Sequence, residues 1–162
     1  MKFKFAKKAT LLVSAMALAG MAWAQQKPAE LKVGITTFMS GPASVFGVPA
    51  KAAAEILIDD LNAQGGIAGV KVSPVFIDEG LGGDKLLSEY RRVVQDQGVK
   101  TMFSAISSGN CNIVAPVAED LKVLNVMWDC GTEKLLEDKK FRYVVRTQAN
   151  ATTEMVATVI YL

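Results

Sequence analysis

Residues 31–78, LKVGITTFMSGPASVFGVPAKAAAEILIDDLNAQGGIAGVKVSPVFID, decide how the rest of the chain is read. Leu31 to Thr36 is short, rich in branched side chains and followed by a Gly-Pro loop, so it reads as a strand. From Pro49 to Ala63 the period lengthens. Ala50, Ala53, Ala54, Leu57 and Leu61 fall on one helical face, and Lys51, Glu55, Asp59 and Asn62 fall on another. Pro49 suits the first turn of that helix and Gly65 its stop. Val70 to Ile77 returns to the strand pattern. Strand, helix and strand over this length form a right-handed crossover between parallel strands.

The alternation continues toward the carboxyl end. Asp78 to Gly83 reads as an acidic, Gly-rich loop in which Asp78 and Glu79 are solvated and form no catalytic dyad. A helix follows from Asp84 to Gln97, with Leu86, Leu87, Tyr90, Val93 and Val94 inward and Gly98 as its end. Next come a strand (Thr101 to Ala105), a helix (about Asn110 to Leu121), a strand (Val123 to Trp128), a helical turn from Glu133 and a strand (Tyr143 to Arg146). The expected fold class is α/β, a Rossmann-like parallel sheet flanked by helices on both faces. Gln148 to Ala151 reads as a connector. Thr152 to Leu162 opens another helix that stops inside an apolar pattern without a cap and so reads as interrupted.

Ahead of all this lies a leader. Lys2, Lys4, Lys7 and Lys8 precede an uncharged, mostly apolar run from Ala9 to Met21, and Ala22-Trp23-Ala24 is a small-x-small cleavage site. That is the pattern of a secretory signal peptide, too short for the ~20 residues of a membrane span. Cleavage after Ala24 moves the formal charge from +2 to −2. No basic cluster remains that would track phosphates, so nucleic acid is not an expected partner. The chain has no histidine, which removes the commonest general base and metal ligand. Neither a catalytic residue, a metal nor a cofactor is expected. Cys111 and Cys130 are bound for an oxidising compartment, where a pair tends toward a disulfide.

Ligands of parallel sheets sit beyond the carboxyl ends of the strands, and the candidate residues fall there. The loop from Thr37 to Val48 is longer than an ordinary strand-to-helix connection but lacks G-x-G-x-x-G. Ser107-Ser108-Gly109-Asn110 offers two hydroxyls and free amides at a helix start, suited either to an anion or to plain capping. Asp129-Cys130-Gly131-Thr132-Glu133 repeats this equipment one strand away, with Thr132 as cap or ligand group. Trp128 and Phe46 are candidate apolar walls. A Cys111–Cys130 disulfide would pin the two loops together.

Several of these residues occur in an order and spacing that resembles a known family. They are Ser40-Gly41-Pro42, Phe46-Gly47, the run Asn62 to Gly69, Ser107-Ser108-Gly109, Ala115 to Glu119 and Tyr143 to Thr147. The chain from about residue 31 onward resembles the periplasmic solute-binding proteins of ABC importers for branched-chain amino acids and related compounds. The resemblance implies a monomeric, two-lobed receptor that closes over a small solute, such as an amino acid or a related acid or amide, and docks on a membrane permease. It implies a signal peptide at 1–24, an incomplete amino-terminal lobe at 25–148, and a hinge crossing with the start of a second lobe at 149–162. By position, Ser107 or Ser108 would hold the solute carboxylate, Cys130 would act through its carbonyl, Thr132 through its hydroxyl, and Phe46 would pack on the solute. The same clamshell in a ligand-sensing receptor or regulator is the alternative. Where the family often has small residues this chain has Met127-Trp128-Asp129-Cys130, which implies a bulky aromatic and a carboxylate at the pocket. Aliphatic amino acids, aromatic acids, amides and dicarboxylates all stay open as solutes.

Overall fold

Five parallel strands form one sheet in the order β2-β1-β3-β4-β5. They are β1 (Glu30–Thr37), β2 (Lys71–Asp78), β3 (Thr101–Ser104), β4 (Leu124–Met127) and β5 (Val144–Arg146), joined by α1 (Ser44–Ala63), α2 (Gly83–Gln95) and α3 (Ser108–Leu121), with α4 (Ala151–Tyr161) following. This computed structural model describes residues 27–104 and 106–162, so the expected signal peptide lies outside the described residues. Thr37 is in register with Asp78, Ser104 with Met127 and Met127 with Arg146, which brings the carboxyl ends of the strands to one rim.

The pleat divides the sheet into two unlike faces. On one, Ile77, Met102, Met127 and Val144 pack against Leu86, Tyr90 and Val93 of α2 and Val114, Ala115 and Ala118 of α3, all buried. Among the described residues the opposite face meets α1. There an apolar groove of about 400 Å³ runs between α1 and the sheet, lined by residues that include Val33, Ile35, Ala53, Leu57, Phe103 and Trp128. Leu57 is 69% exposed and Val145 44% exposed on this side.

The structure corrects the start of the first helix. α1 begins at Ser44, with Pro49 inside it. The absent Pro49 N–H leaves the Val45 carbonyl without its helical partner, but Val45 is largely exposed and water can serve it. Tertiary contact outweighs the local preference. A Cβ at Gly47 would stand 2.0 Å from the Phe38 carbonyl oxygen, and the Thr37 hydroxyl donates to the Gly47 carbonyl at 3.2 Å. The connection is therefore residues 38–43, of ordinary length for a strand-to-helix loop rather than the long loop expected from the sequence.

The run from Asn62 to Gly69 has a structural account. Asn62 Nδ2 donates to the Val72 carbonyl and Asn62 Oδ1 accepts from the Val72 N–H, each at 2.8 Å, which stitches the end of α1 to the free edge of β2. Gly66, at φ +72°, lets the chain pass so near the Val70 carbonyl that a Cβ would collide, and Ile67 and Val70 close the turn as a bridge. The turn expected from Glu133 is a single bond from Glu137 N–H to the Glu133 carbonyl at 3.4 Å.

The unequal faces have a measurable consequence. Leu86→Ala, in the fully buried core, should cost ~2–5 kcal/mol in urea denaturation. Leu57→Ala, on the open side, should stay within about 0.5 kcal/mol of wild type. Equal losses at the two positions would contradict the described asymmetry.

Candidate functional site

The rim is organised by two carboxylates that the sequence suggests are solvated, and this is the second correction. Asp78, the last residue of β2, accepts through Oδ1 from the N–H groups of Met39 (2.8 Å), Ser40 (3.2 Å) and Gly80 (2.8 Å), and so fixes the β1–α1 loop. Burial by itself raises the Asp78 carboxyl, yet bonds from the Ser40 hydroxyl and these amides outweigh it and hold the group below its ordinary range. Glu79 is 2% exposed. Its Oε1 accepts from the Thr36 hydroxyl (3.0 Å) and Ile106 N–H (2.9 Å), and its Oε2 accepts from Ser107 N–H (3.3 Å) and Asn110 Nδ2 (3.0 Å). A carboxylate out of water requires such donors, and this one has them from two strand ends and the head of α3.

At that head the two serines have different work. Ser107 is the N-cap of α3, its hydroxyl accepting from Asn110 N–H at 3.4 Å, while its own N–H goes to Glu79. Ser108 is exposed, and among the described residues its hydroxyl and amide, with the amide of Gly109, engage no partner.

One strand away, Cys130 is buried and joined to Cys111 of α3, with Cα atoms 6.5 Å apart. This bond fastens the 129–133 loop to α3, the helix that Ser107 caps. With its amide oriented to suit its neighbours, Gln148 donates to Asp129 Oδ1 (2.9 Å) and accepts from the N–H groups of Cys130 (3.0 Å) and Gly131 (3.3 Å). The Cys130 carbonyl and the Thr132 hydroxyl are left unused among the described residues, whereas the Thr132 carbonyl accepts from Arg146. Loss of surrounding water, then the charges of Glu154 and Glu79, push the Asp129 carboxyl up. The rim thus presents hydroxyls, amides and a carbonyl that are unpaired among the described residues, with the Asp129 carboxyl at its margin.

Phe46 is 67% exposed on the first turn of α1 and is bonded to neither the 106–110 nor the 129–133 loop. Trp128 lies on the face opposite Met127 and lines the groove beneath α1, as the pleat requires of the residue after an inward Met. Sequence reasoning missed the inward part played by Glu79 and Gln148, and named Asn110 only as a member of the helix-start loop. The signal for Glu79 was a carboxylate at a parallel strand's end, one strand from a helix whose amides needed an acceptor. Among the described residues no group of three or more His, Cys, Asp or Glu is arranged to hold a metal ion, and no helix is long and apolar enough to cross a membrane.

Over residues 30–162 the sequence matches the family described as periplasmic binding protein. It is 30% identical over 143 residues to the Leu/Ile/Val/Thr-binding protein of Salmonella typhimurium, covering 87% of this chain and 38% of that one. To the Leu/Ile/Val-binding protein of Escherichia coli K12 it is 28% identical over 133 residues, covering 82% and 35%. The fold is similar to that of a branched-chain amino acid transporter substrate binding protein from Streptococcus pneumoniae in complex with isoleucine, with a TM-score of 0.69 and 20% identity over 75% of this chain and 34% of that one. It is also similar to a solute binding protein of an ABC transporter from Rhodopseudomonas palustris HaA2 in complex with p-hydroxybenzoic acid, with a TM-score of 0.68 and 26% identity over 82% and 35%. The chain spans little more than a third of the length of these relatives.

The lowered Asp78 value sets a pH window. Its contribution to stability is present above the ordinary carboxylate value of about 3.9 and is lost as pH falls through the depressed folded value. The stability gap between wild type and Asp78→Asn, read by urea denaturation, should hold steady above about pH 5 and close below about pH 4. A gap unchanged on acidification would contradict the assigned bonds.

Proposed function

The chain belongs to the periplasmic binding protein family, and from that premise we propose that it captures a small solute outside the cytoplasm for delivery to the permease of an ABC importer. The solute class is an amino acid or a related carboxylate or amide. The observation that carries this reading is the pair of strand-end loops fastened by Cys111–Cys130, which leave the Ser108 hydroxyl and amide, the Cys130 carbonyl and the Thr132 hydroxyl unspent. Ser108 receives the carboxylate at the positive end of α3, Cys130 and Thr132 take the solute's remaining polar groups, and Phe46 covers its apolar part. Ser107 contributes indirectly, as the cap that shapes the loop.

In this reading residues 1–24 direct export to the periplasm and are removed. Residues 25–148 form one lobe, residues 149–162 lead toward a second, and the solute closes the two together without being chemically changed. The receptor acts as a monomer, without a cofactor, and meets a permease and no nucleic acid. The names of its relatives support the transport role, since they are binding proteins for Leu, Ile, Val and Thr, and similar structures hold isoleucine or p-hydroxybenzoic acid.

In the full-length protein, Ser108→Ala and Thr132→Ala should each weaken solute binding by ~1.5–3 kcal/mol in calorimetry, the worth of a hydrogen bond to a charged group. Unchanged affinity in both variants would overturn the site. Release of the protein in osmotic-shock fluid is expected, and retention in the membrane fraction would favour a sensor domain.

A further inference from the structure

We propose that Glu79 is a positioning residue of this site, a resident anion that takes up the Ile106 and Ser107 amides and thereby sets Ser108 and Gly109 toward the solute. The inference rests on the solute-capture reading and assigns a part to a residue outside the Ser, Cys and Thr set. A carboxylate offers about four lone-pair positions. Those of Glu79 are filled by the Thr36 hydroxyl, the Ile106 and Ser107 amides and Asn110 Nδ2, at 2.9–3.3 Å, with Ile106 also reaching Oε2 at 3.2 Å. This is the donor set an incoming carboxylate would seek at a helix N-terminus, and here the protein supplies the anion itself.

The division of donors follows from the chain path. β2 ends at Asp78, and one 3₁₀ turn at Glu79–Leu81 aims the Glu79 side chain inward, beneath the segment that joins β3 to α3. Ser108 and Gly109 open α3, so their amides are first-turn amides and have no acceptor among the described residues, while Glu79 holds the two amides before them. The solute therefore meets Ser108 and Gly109, and the register of the loop is set from below before any solute arrives. Asp78 does the same for the neighbouring loop through Met39 and Ser40, so one Asp-Glu pair orders both loops that flank β1.

The test uses the full-length protein, calorimetry and a panel of leucine, isoleucine, valine and 4-hydroxybenzoate, with acetate as the probe. Glu79→Ala removes the equivalent of one acetate from the buried nest. Affinity for the panel member that wild type binds should fall about tenfold or more, as for loss of one hydrogen bond to a charged group. Acetate at tens of millimolar should then recover part of that affinity in Glu79→Ala, yet leave wild type unchanged or weaker through competition. A purely structural role would not reverse the sign of the acetate effect. Glu79→Gln fills the nest but turns an NH₂ toward donors, so it should lose affinity and gain nothing from acetate.

Should Glu79→Ala fail to fold, Thr36→Val and Glu79→Gln are compared with wild type for solute affinity and for hydrogen exchange at the Ile106 and Ser107 amides. Both variants should show faster exchange together with weaker binding. Binding as tight as wild type in folded Glu79 variants, or an acetate effect of the same sign in both proteins, would overturn the proposal. A wild type that binds no member of the panel strikes the solute-capture reading, and this inference goes with it. A wild type that binds while the variants match it strikes this inference alone.

Discussion

The carboxylate of Glu79 lies between the ends of β1 and β3 and the head of α3, and its burial forces donors from all three to converge. Taking a charge out of water costs several kcal/mol, and that cost is met only while every donor stays in place. The arrangement therefore acts on the loops more than on overall stability. Thr36 cannot turn away, Ile106 and Ser107 cannot move outward, and Asn110 holds the first turn of α3 against the same group. The Cys111–Cys130 bond extends this constraint to the β4 loop, so the loops that follow β3 and β4 share one support.

Much of this architecture can be read from the chain. The change of period between Leu31–Thr36 and Pro49–Ala63 identifies strand and helix, and the inward residues of α2, Leu86, Tyr90, Val93 and Val94, are those that the spacing selects. Ser107 three residues before Asn110 announces a cap, and the cap is there. What escapes is non-local. Pro49 looks like a helix start because the packing of Gly47 on Phe38 is invisible in a linear reading. Asp78 and Glu79 look solvated because Glu79's donors at 106–110 lie 27–31 residues away, and hydropathy alone assigns two adjacent carboxylates to water. Trp128 reads as an apolar wall, and which space it walls is set by the pleat: buried Met127 turns it toward the groove beneath α1.

The two faces of the sheet carry different kinds of information. The face under α2 and α3 is a closed core in which Tyr90 and Ser104 both donate to Asn125 Oδ1, at 2.8 and 2.7 Å, while Asn125 Nδ2 has no partner among the described residues. Burial pushes the Tyr90 hydroxyl far above its ordinary value, which keeps it a neutral donor there. The face under α1 is shallower, and its small residues, Ala50, Ala53 and Ala54, hold the helix near the sheet without filling the space beside it. Close packing thus belongs to one face of the sheet, and the groove belongs to the other.

The place of β1 in the sheet bears on how the chain can be trimmed. β1 is the first strand in sequence, yet it pairs with both β2 and β3 and is central to the sheet. It starts at Glu30, and Lys27 already reaches across to the Ala68 carbonyl at 2.6 Å. A peptidase acting at Ala24 would leave residues 25–29 as its margin. Overrunning that margin would not shorten a dispensable tail; it would remove the strand that holds the two halves of the sheet together.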